Sequence, residues 1–405
     1  MAKADNIAPA PERLHALDAV RGYALLLGVV FHATLSFIPV PSRIWMVQDD
    51  HPSTVLAVVF FVIHVFRMTT FFLIAGFFAH MSFHRRGPTG FIRDRLKRIA
   101  LPLVVGWPLI MASFVAIGSW AYYGGYSGPP PRWPAFPGFP LTHLWFLYVL
   151  LKLYAAMLML RSAIAWIDRG GKIRAGVDRM VALVMHSPVA PAVLALPVAA
   201  AFAADPTWLM WFGIRTPDAS LLTNLQAWAG FGTAFAFGFV LHRQTDLIRI
   251  LERRWGLNLM LAVALIAACL FLAGLTPQLK PIVEYHQAGA ACYALAIWTT
   301  SFAAIGLALR FLSGFSPARR TIADASYWIY LIHLPIVMAL QVAVSRLDWP
   351  WPVKFAGILA AAFALTFASY QLLVRDSFIG AVLNGRRMRP DRGLGEPTAN
   401  AAARP

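Results

Sequence analysis

The stretch LDAVRGYALLLGVVFHATLSF, residues 17–37, decides the reading of the chain, because it is apolar enough to cross a bilayer yet carries Arg21 and His32. About twenty apolar residues span the ~30 Å of hydrocarbon, and a charged or titratable side chain inside such a helix is expensive. At 100° per residue, eleven residues close to three turns plus about 20°, which puts both side chains on one face, roughly 16 Å apart. Leu25 and Gly28 complete that stripe. Asp18, three residues before Arg21, can pair with it at the helix entrance, and Gly28 lets a backbone or a ligand approach its middle. His32 falls about 6 Å beyond the midpoint of the span. An imidazole there can take a proton from a hydroxyl and return it. The structural alternative is a helix start with a charge pair and one histidine bonded to a neighbouring helix. The shared face and depth favour a site.

Outward from this segment, apolar runs of similar length recur. The chain has 405 residues, 59% of them hydrophobic and 13% charged, which makes it a polytopic all-α integral membrane protein. Ten transmembrane helices are expected, near 17–39, 54–82, 99–121, 142–164, 188–204, 221–241, 256–275, 286–309, 323–345 and 353–374. Basic residues test the parse. One side collects Lys3, Arg13, the cluster Arg85, Arg86, Arg93, Arg95, Lys97 and Arg98, and later Arg161, Arg243, Arg320 and the tail from Arg375. The other side holds Arg43, Arg132, Arg215, Lys280, Arg346 and Lys354. Both termini are therefore expected in the cytoplasm, with residues 1–16 a short N-terminal segment, 17–375 the membrane domain and 376–405 a disordered tail. No cleavable leader is expected.

The net charge of +17 follows from this loop asymmetry, and no recognition helix or RNA-binding motif accompanies it, so a nucleic-acid partner is not expected. Cys269 and Cys292 lie inside apolar runs without a CxxC pair and read as small core residues. FIRDRLKRIALPL, residues 91–103, spaces Phe91 or Ile92, Leu96 and Ile99 along one face and suggests a basic interfacial helix. The Trp- and Tyr-rich outer loops fit a membrane-interface belt better than a sugar platform.

Three further spans carry polar residues at depth. In VLAVVFFVIHVFRMTTFFLIAGFFAHM, residues 55–81, Arg67 lies near the centre with His64 on the same face. A central arginine costs about 2.5–3.5 kcal/mol to insert, so Arg67 should pair with a carboxylate or meet a ligand oxygen. In DASYWIYLIHLPIVMAL, residues 324–340, Ser326, Tyr330 and His333 share a face, and Pro335 frees the carbonyl of Leu331 as an acceptor. THLWFLYVLLKLY, residues 142–154, places His143 near the outer surface and Lys152 near mid-depth with Trp145 and Tyr148. Lys152 suits a local structural pairing as well as a ligand. Carboxylates are scarce at mid-depth, so no metal site is expected. P-loop, GxSxG and HExxH patterns are absent from the sequence.

RLHALDAVRGYALLLGVVFH, FRMTTFFLIAGFF, RDRLKRIALPLVVGW, HLWFLYVLL and SYWIYLIHLPIV follow one another in an order and spacing that resembles the membrane acyltransferase-3 superfamily, nearest its glucan biosynthesis protein C branch. The likeness runs from residue 13 to about 375. Thr70, Ala75 and Lys152 depart from the usual pattern. The resemblance implies a bacterial inner-membrane enzyme that moves an acyl group, succinyl or acetyl, from cytoplasmic acyl-CoA to a hydroxyl of an envelope glucan. Acyl-CoA is then a co-substrate, and no bound cofactor is implied. Carried over residue by residue, Arg21 and His32 match the first-span signature with His32 as base, and Arg67 and His333 match later family positions. On chemical grounds His64, Tyr330, Ser326 and Trp145 are candidates for acceptor binding, and Arg85, Arg86, Arg95 and Arg98 for the CoA phosphates. The competing class is a proton-coupled transporter or exporter of an anionic solute that uses His32, His64, Arg67 and His333. No second copy of the Arg-ten-His pattern supports the repeated halves common in transporters.

Overall fold

The computed structural model describes residues 11–40, 45–126 and 135–384, with side chains from His15 onward. Lys3, Arg43, Arg132, the side chain of Arg13 and the tail from residue 385 lie outside the described residues. Among those described the chain is helical, with an isolated antiparallel bridge between Gly138 and Ser220 and no strand. First come α1 (Pro11–Thr34), α2 (Thr54–Arg95), α3 (Leu101–Tyr123) and α4 (Trp145–Ile167). Next are α5 (Lys172–His186), α6 (Ala190–Ala203), the short α7 (Leu225–Ala227), α8 (Thr233–Leu241) and α9 (Ile248–Arg253). The chain closes with α10 (Trp255–Ala273), α11 (His286–Phe311), α12 (Pro317–Val344), α13 (Trp351–Ser369) and α14 (Phe378–Leu383).

Seven helices are long and apolar enough to cross a membrane, or eight if α5 and α6, bent by 109° at their junction, count as one. The difference from ten has local causes. Thr54–Tyr123 forms one run of 70 residues, and at 1.5 Å per residue its ~105 Å is more than three times the hydrocarbon thickness. It breaks at Gly87, whose φ of 67° and ψ of 175° are not helical, just before Pro88. The expected fifth span is α6, with 14 residues and an internal Pro197. The expected sixth is divided between α7, a π turn over Trp228–Gly232 and the nine-residue α8. The basic stretch after Gly87 is helical and leads through a π turn over Leu96–Ala100 into α3, with Phe91 and Ile99 buried and Leu96 exposed.

Contacts sort the element ends into two groups. At the loop end, Ser53 N–H donates to the Phe37 carbonyl at 2.7 Å, and Arg346 donates to the Gly124 carbonyl at 3.2 Å. At the cationic end, Tyr327 OH donates to the Arg98 carbonyl at 2.6 Å, Arg161 stacks on Phe83, and Arg95 reaches Tyr154. Helices α1, α3 and α12 therefore run one way, and α2, α4 and α13 the other. Residues 376–384, expected in the tail, include α14, and Asn384 donates to the Asp324 carbonyl at 2.9 Å.

Close approach of α2 and α8 depends on a reciprocal glycine pair. A Cβ at Gly76 would collide with the Phe235 carbonyl, and one at Gly238 with the Leu73 carbonyl. This accounts for the glycine of FLIAGFF. Thr70 Oγ1 donates to Ser301 Oγ at 2.9 Å, joining α2 to α11. Cys269 and Cys292 are free, their sulfurs 3.4 Å apart between α10 and α11.

Candidate active site

Between α1, α2, α4 and α12 lie two cavities stacked along the helix axes. The one toward the loop end has about 370 Å³ and is lined by His32, His64, Arg67, His143, Tyr330 and His333, among others. The one toward the cationic end has about 440 Å³ and takes Arg21, Arg85, Arg95, Arg98 and Arg320. Leu25, Phe71 and Phe146 line both. Phe71 and Phe146 meet edge to face, centroids 4.5 Å apart, so these three side chains form a waist.

The first-span stripe is thus divided. Arg21 belongs to the cationic cavity, where it pairs with Asp18 at 3.1 Å, and His32 belongs to the other. Leu25, between them in sequence, is the waist. His32 meets His333, which the sequence also put forward, and Trp45 and Gln341, which it did not. Its ring lies 5.2 Å from that of His333 and stacks with Trp45 at 5.9 Å. Gln341 ties this together: its amide donates to the carbonyls of His32 and Ala33 at 3.0 and 3.2 Å, and its oxygen accepts from Trp45 Nε1 at 2.8 Å. Nδ1 of His32 is buried without a partner.

Arg67 has no carboxylate partner among the described residues. Its guanidinium stacks over Phe31 at 4.6 Å, and its Nε is buried and unpartnered. A Cβ at Gly28 would come within 2.6 Å of Arg67 Nη1 and 3.8 Å of His333 Nε2. Gly28 therefore makes room for the guanidinium, a side chain, where its stripe position had suggested approach by a backbone or a ligand. A desolvated cation left without an anion is available to an oxygen of a bound molecule.

His64 has a different role from the other imidazoles. It stacks with Phe31 and Phe60 and donates from Nε2 to the Phe212 carbonyl at 2.7 Å, which holds the Met210–Phe212 turn over the cavity. Trp145 lines the same cavity, stacked on Phe231. Ser326 is not brought to it: the hydroxyl donates to the Ala323 carbonyl at 2.8 Å, and the residue lines the cationic cavity.

The carbonyl that Pro335 frees finds a specific donor, since His143 Nε2 lies 3.1 Å from Leu331 O. Tyr330 OH in turn donates to the His143 carbonyl at 2.7 Å. Lys152 makes a local pairing, donating to Leu221 O at 2.7 Å and Thr223 Oγ1 at 3.0 Å.

In the cationic cavity Asp94 is the organiser, a residue sequence reasoning passed over within RDRLKR. It pairs with Arg86, with Arg95 at 3.2 Å and with Arg98 at 3.0 Å. Arg95 is further held by Ser82 at 3.1 Å and by the rings of Phe91 and Tyr154. One carboxylate among three arginines leaves net positive charge in fixed positions, suited to phosphate oxygens. Arg85 lines this cavity; Arg86 braces Asp94 from outside it.

A family model for an acyltransferase domain matches residues 14–371, and the chain belongs to that acyltransferase-3 family of multi-pass membrane proteins. It is 32% identical over 155 residues to the glucans biosynthesis protein C of Escherichia coli strain SMS-3-5, covering 36% of this chain and 38% of that one. With the same-named protein of Shigella dysenteriae serotype 1 it is 31% identical over 155 residues, with the same coverage. The matched region thus spans less than two fifths of these relatives. No solved structure matches the chain.

Proposed function

We propose that the protein is a membrane O-acyltransferase that takes an acyl group, succinyl or acetyl, from acyl-CoA at its cationic end and transfers it to a hydroxyl of an envelope glucan at its loop end. The reading includes about ten spans in a bacterial inner membrane, both termini in the cytoplasm. The observation that carries it is the pair of cavities meeting at Leu25, Phe71 and Phe146, one cationic and the other holding an unpaired arginine beside imidazoles. Two reagents that live on opposite sides of a membrane need such a meeting point. The clustered arginines at one end fit both the cytoplasmic side and the CoA phosphates.

In this reading His32 removes the proton of the acceptor hydroxyl as its oxygen attacks the thioester carbonyl. Arg67 faces the negative charge that develops on the thioester oxygen. Collapse breaks the carbon–sulfur bond, the ester remains on the acceptor, and the CoA thiolate takes up the proton from the imidazolium. Trp45 stacks on the His32 ring, and Gln341 holds Trp45 and the His32 backbone carbonyl.

The test is CoA release by the full-length protein in nanodiscs supplied with succinyl-CoA or acetyl-CoA and a glucan. Release should depend on the glucan and fall by a factor of about 10²–10⁴ in His32→Ala, the range for loss of a general base. Normal turnover in that variant overturns the assignment of the base. Solute uptake into vesicles without CoA release overturns the enzyme and supports the transporter.

A further inference from the structure

We infer that His143 and His333 form a subsite that reads hydroxyl groups, and that the acceptor is accordingly a polyol presenting neighbouring O–H donors, such as an unsubstituted sugar ring. This rests on the transferase reading and adds to it the groups that recognise the acceptor. A carbonyl can only accept, so His143 Nε2 carries the proton it shares with Leu331 O, and its Nδ1 is left as a lone pair. His333 Nδ1 lies 2.7 Å from the Tyr330 carbonyl, so His333 Nε2 is the lone pair there. Both lone-pair nitrogens are buried without a partner, and the two rings are 5.4 Å apart, on the wall of the cavity that holds His32.

Two buried acceptors with no donor set the chemistry of the guest. A carboxylate, phosphate or carbonyl brings no hydrogen to either nitrogen. An ammonium or metal cation would share the cavity with the Arg67 guanidinium, and no group of three metal-ligating side chains occurs among the described residues. A neutral hydroxyl satisfies a nitrogen and can accept from Arg67 through the same oxygen.

The backbone at His143 is fixed beyond what packing needs. Thr142, a β-branched residue, has φ of 53°, in the left-handed region that such residues avoid. Three hydrogen bonds hold this turn: Thr142 N–H to Asp218 O at 3.0 Å, Tyr330 OH to His143 O, and His143 to the carbonyl that Pro335 exposes. Thr142 also lines the cavity, and its Oγ1 is buried without a partner. Strain retained next to an oriented imidazole points to a positioned side chain rather than a space-filling one.

The test uses the full-length protein in nanodiscs, measuring CoA release from succinyl-CoA against a linear glucose oligosaccharide and then against analogues each lacking one hydroxyl. In His143→Ala the KM for the oligosaccharide should rise by about tenfold or more, while the KM for succinyl-CoA stays within about twofold, the pattern of one lost buried hydrogen bond to the acceptor. One deoxy analogue should be a poor acceptor for the wild type and no worse than its parent for the variant. His143→Gln, which keeps an N–H for Leu331 and carries an amide oxygen able to accept, should hold the acceptor KM closer to the wild-type value than His143→Ala does. An unchanged acceptor KM in His143→Ala, a parallel rise of both KM values in both variants, or undiminished discrimination among the analogues in His143→Ala overturns the subsite. If the wild type releases CoA and His143 is indifferent, the subsite alone fails. If the wild type shows no oligosaccharide-dependent release, the transferase reading fails and takes the subsite with it.

Discussion

Arg67 is the most demanding residue in the protein, a guanidinium buried within the helix bundle with a benzene ring against it and no carboxylate partner among the described residues. The room it occupies is made by Gly28, and that gives a single-atom experiment. Adding one methyl in Gly28→Ala puts a Cβ 2.6 Å from Nη1, so the guanidinium must move. Loss of one preorganised donor to a developing oxyanion costs about 10²–10³ in turnover. Gly28→Ala should therefore depress CoA release by about that factor, with the melting temperature in detergent unchanged or raised, since alanine favours the helix. Wild-type turnover in this variant removes Arg67 from the chemistry. Much at this scale was legible in the sequence. The absence of acids at mid-depth already leaves Arg67 without an obvious ion partner, and Pro335 already names Leu331 as a free carbonyl. What could not be read is who answers: His143 is 188 residues away, and the left-handed turn at Thr142 has no signature in residue type.

Among elements, the loop end is held by a pair, Lys354 and Asp49, that the sequence did not join. Lys354 of α13 is fully buried, and its ammonium contacts both carboxylate oxygens of Asp49 at 2.9 and 3.0 Å and the Ser345 carbonyl at 3.1 Å. This ties segment 45–53, and with it Trp45 above His32, to α12 and α13. Removing one partner of a buried pair strands the other charge and costs about 3–5 kcal/mol. Lys354→Ala should lower stability by about that amount in reversible denaturation, and Lys354→Ala with Asp49→Ala should recover much of it. A loss in the double variant equal to the sum of the losses in Lys354→Ala and Asp49→Ala would show that the two charges do not depend on each other. Such pairings elude sequence because either charge alone resembles an ordinary exposed loop residue; the partner is chosen by how far each helix projects at its end. The same limit applies to spans. Hydropathy found every apolar segment, but Gly87, Pro197 and the π turns decide how those segments divide into helices, and α6 and α8 came out shorter than their apolar runs.

At the scale of the molecule, the stripe Arg21, Leu25, Gly28, His32 is legible as one face, whereas its division between two cavities is not, because the partition is made by Phe71 and Phe146 from other helices. The waist makes its own prediction. Leu25→Trp adds bulk where the cavities meet, so acyl transfer should fall by about tenfold or more, as small misplacements of reacting groups cost up to ~10². Binding of acyl-CoA to detergent-solubilised protein, read by calorimetry, should change far less than transfer does, because Arg85, Arg95 and Arg98, which face the phosphates in this reading, stay in place. Transfer at the wild-type rate would mean that the acyl group does not pass this point.

That constriction also has an electrical consequence. In the proposed reading, with electrolyte in both chambers, most of the transmembrane voltage would drop across the few ångströms of Leu25, Phe71 and Phe146, and moving one elementary charge through that drop is worth about 2.3 kcal/mol per 100 mV. In a cell that is negative inside, an anionic group such as succinyl would be driven outward by this field, whereas a neutral acetyl would not respond to it. The protein would then run as a voltage-assisted enzyme for one donor and an indifferent one for the other.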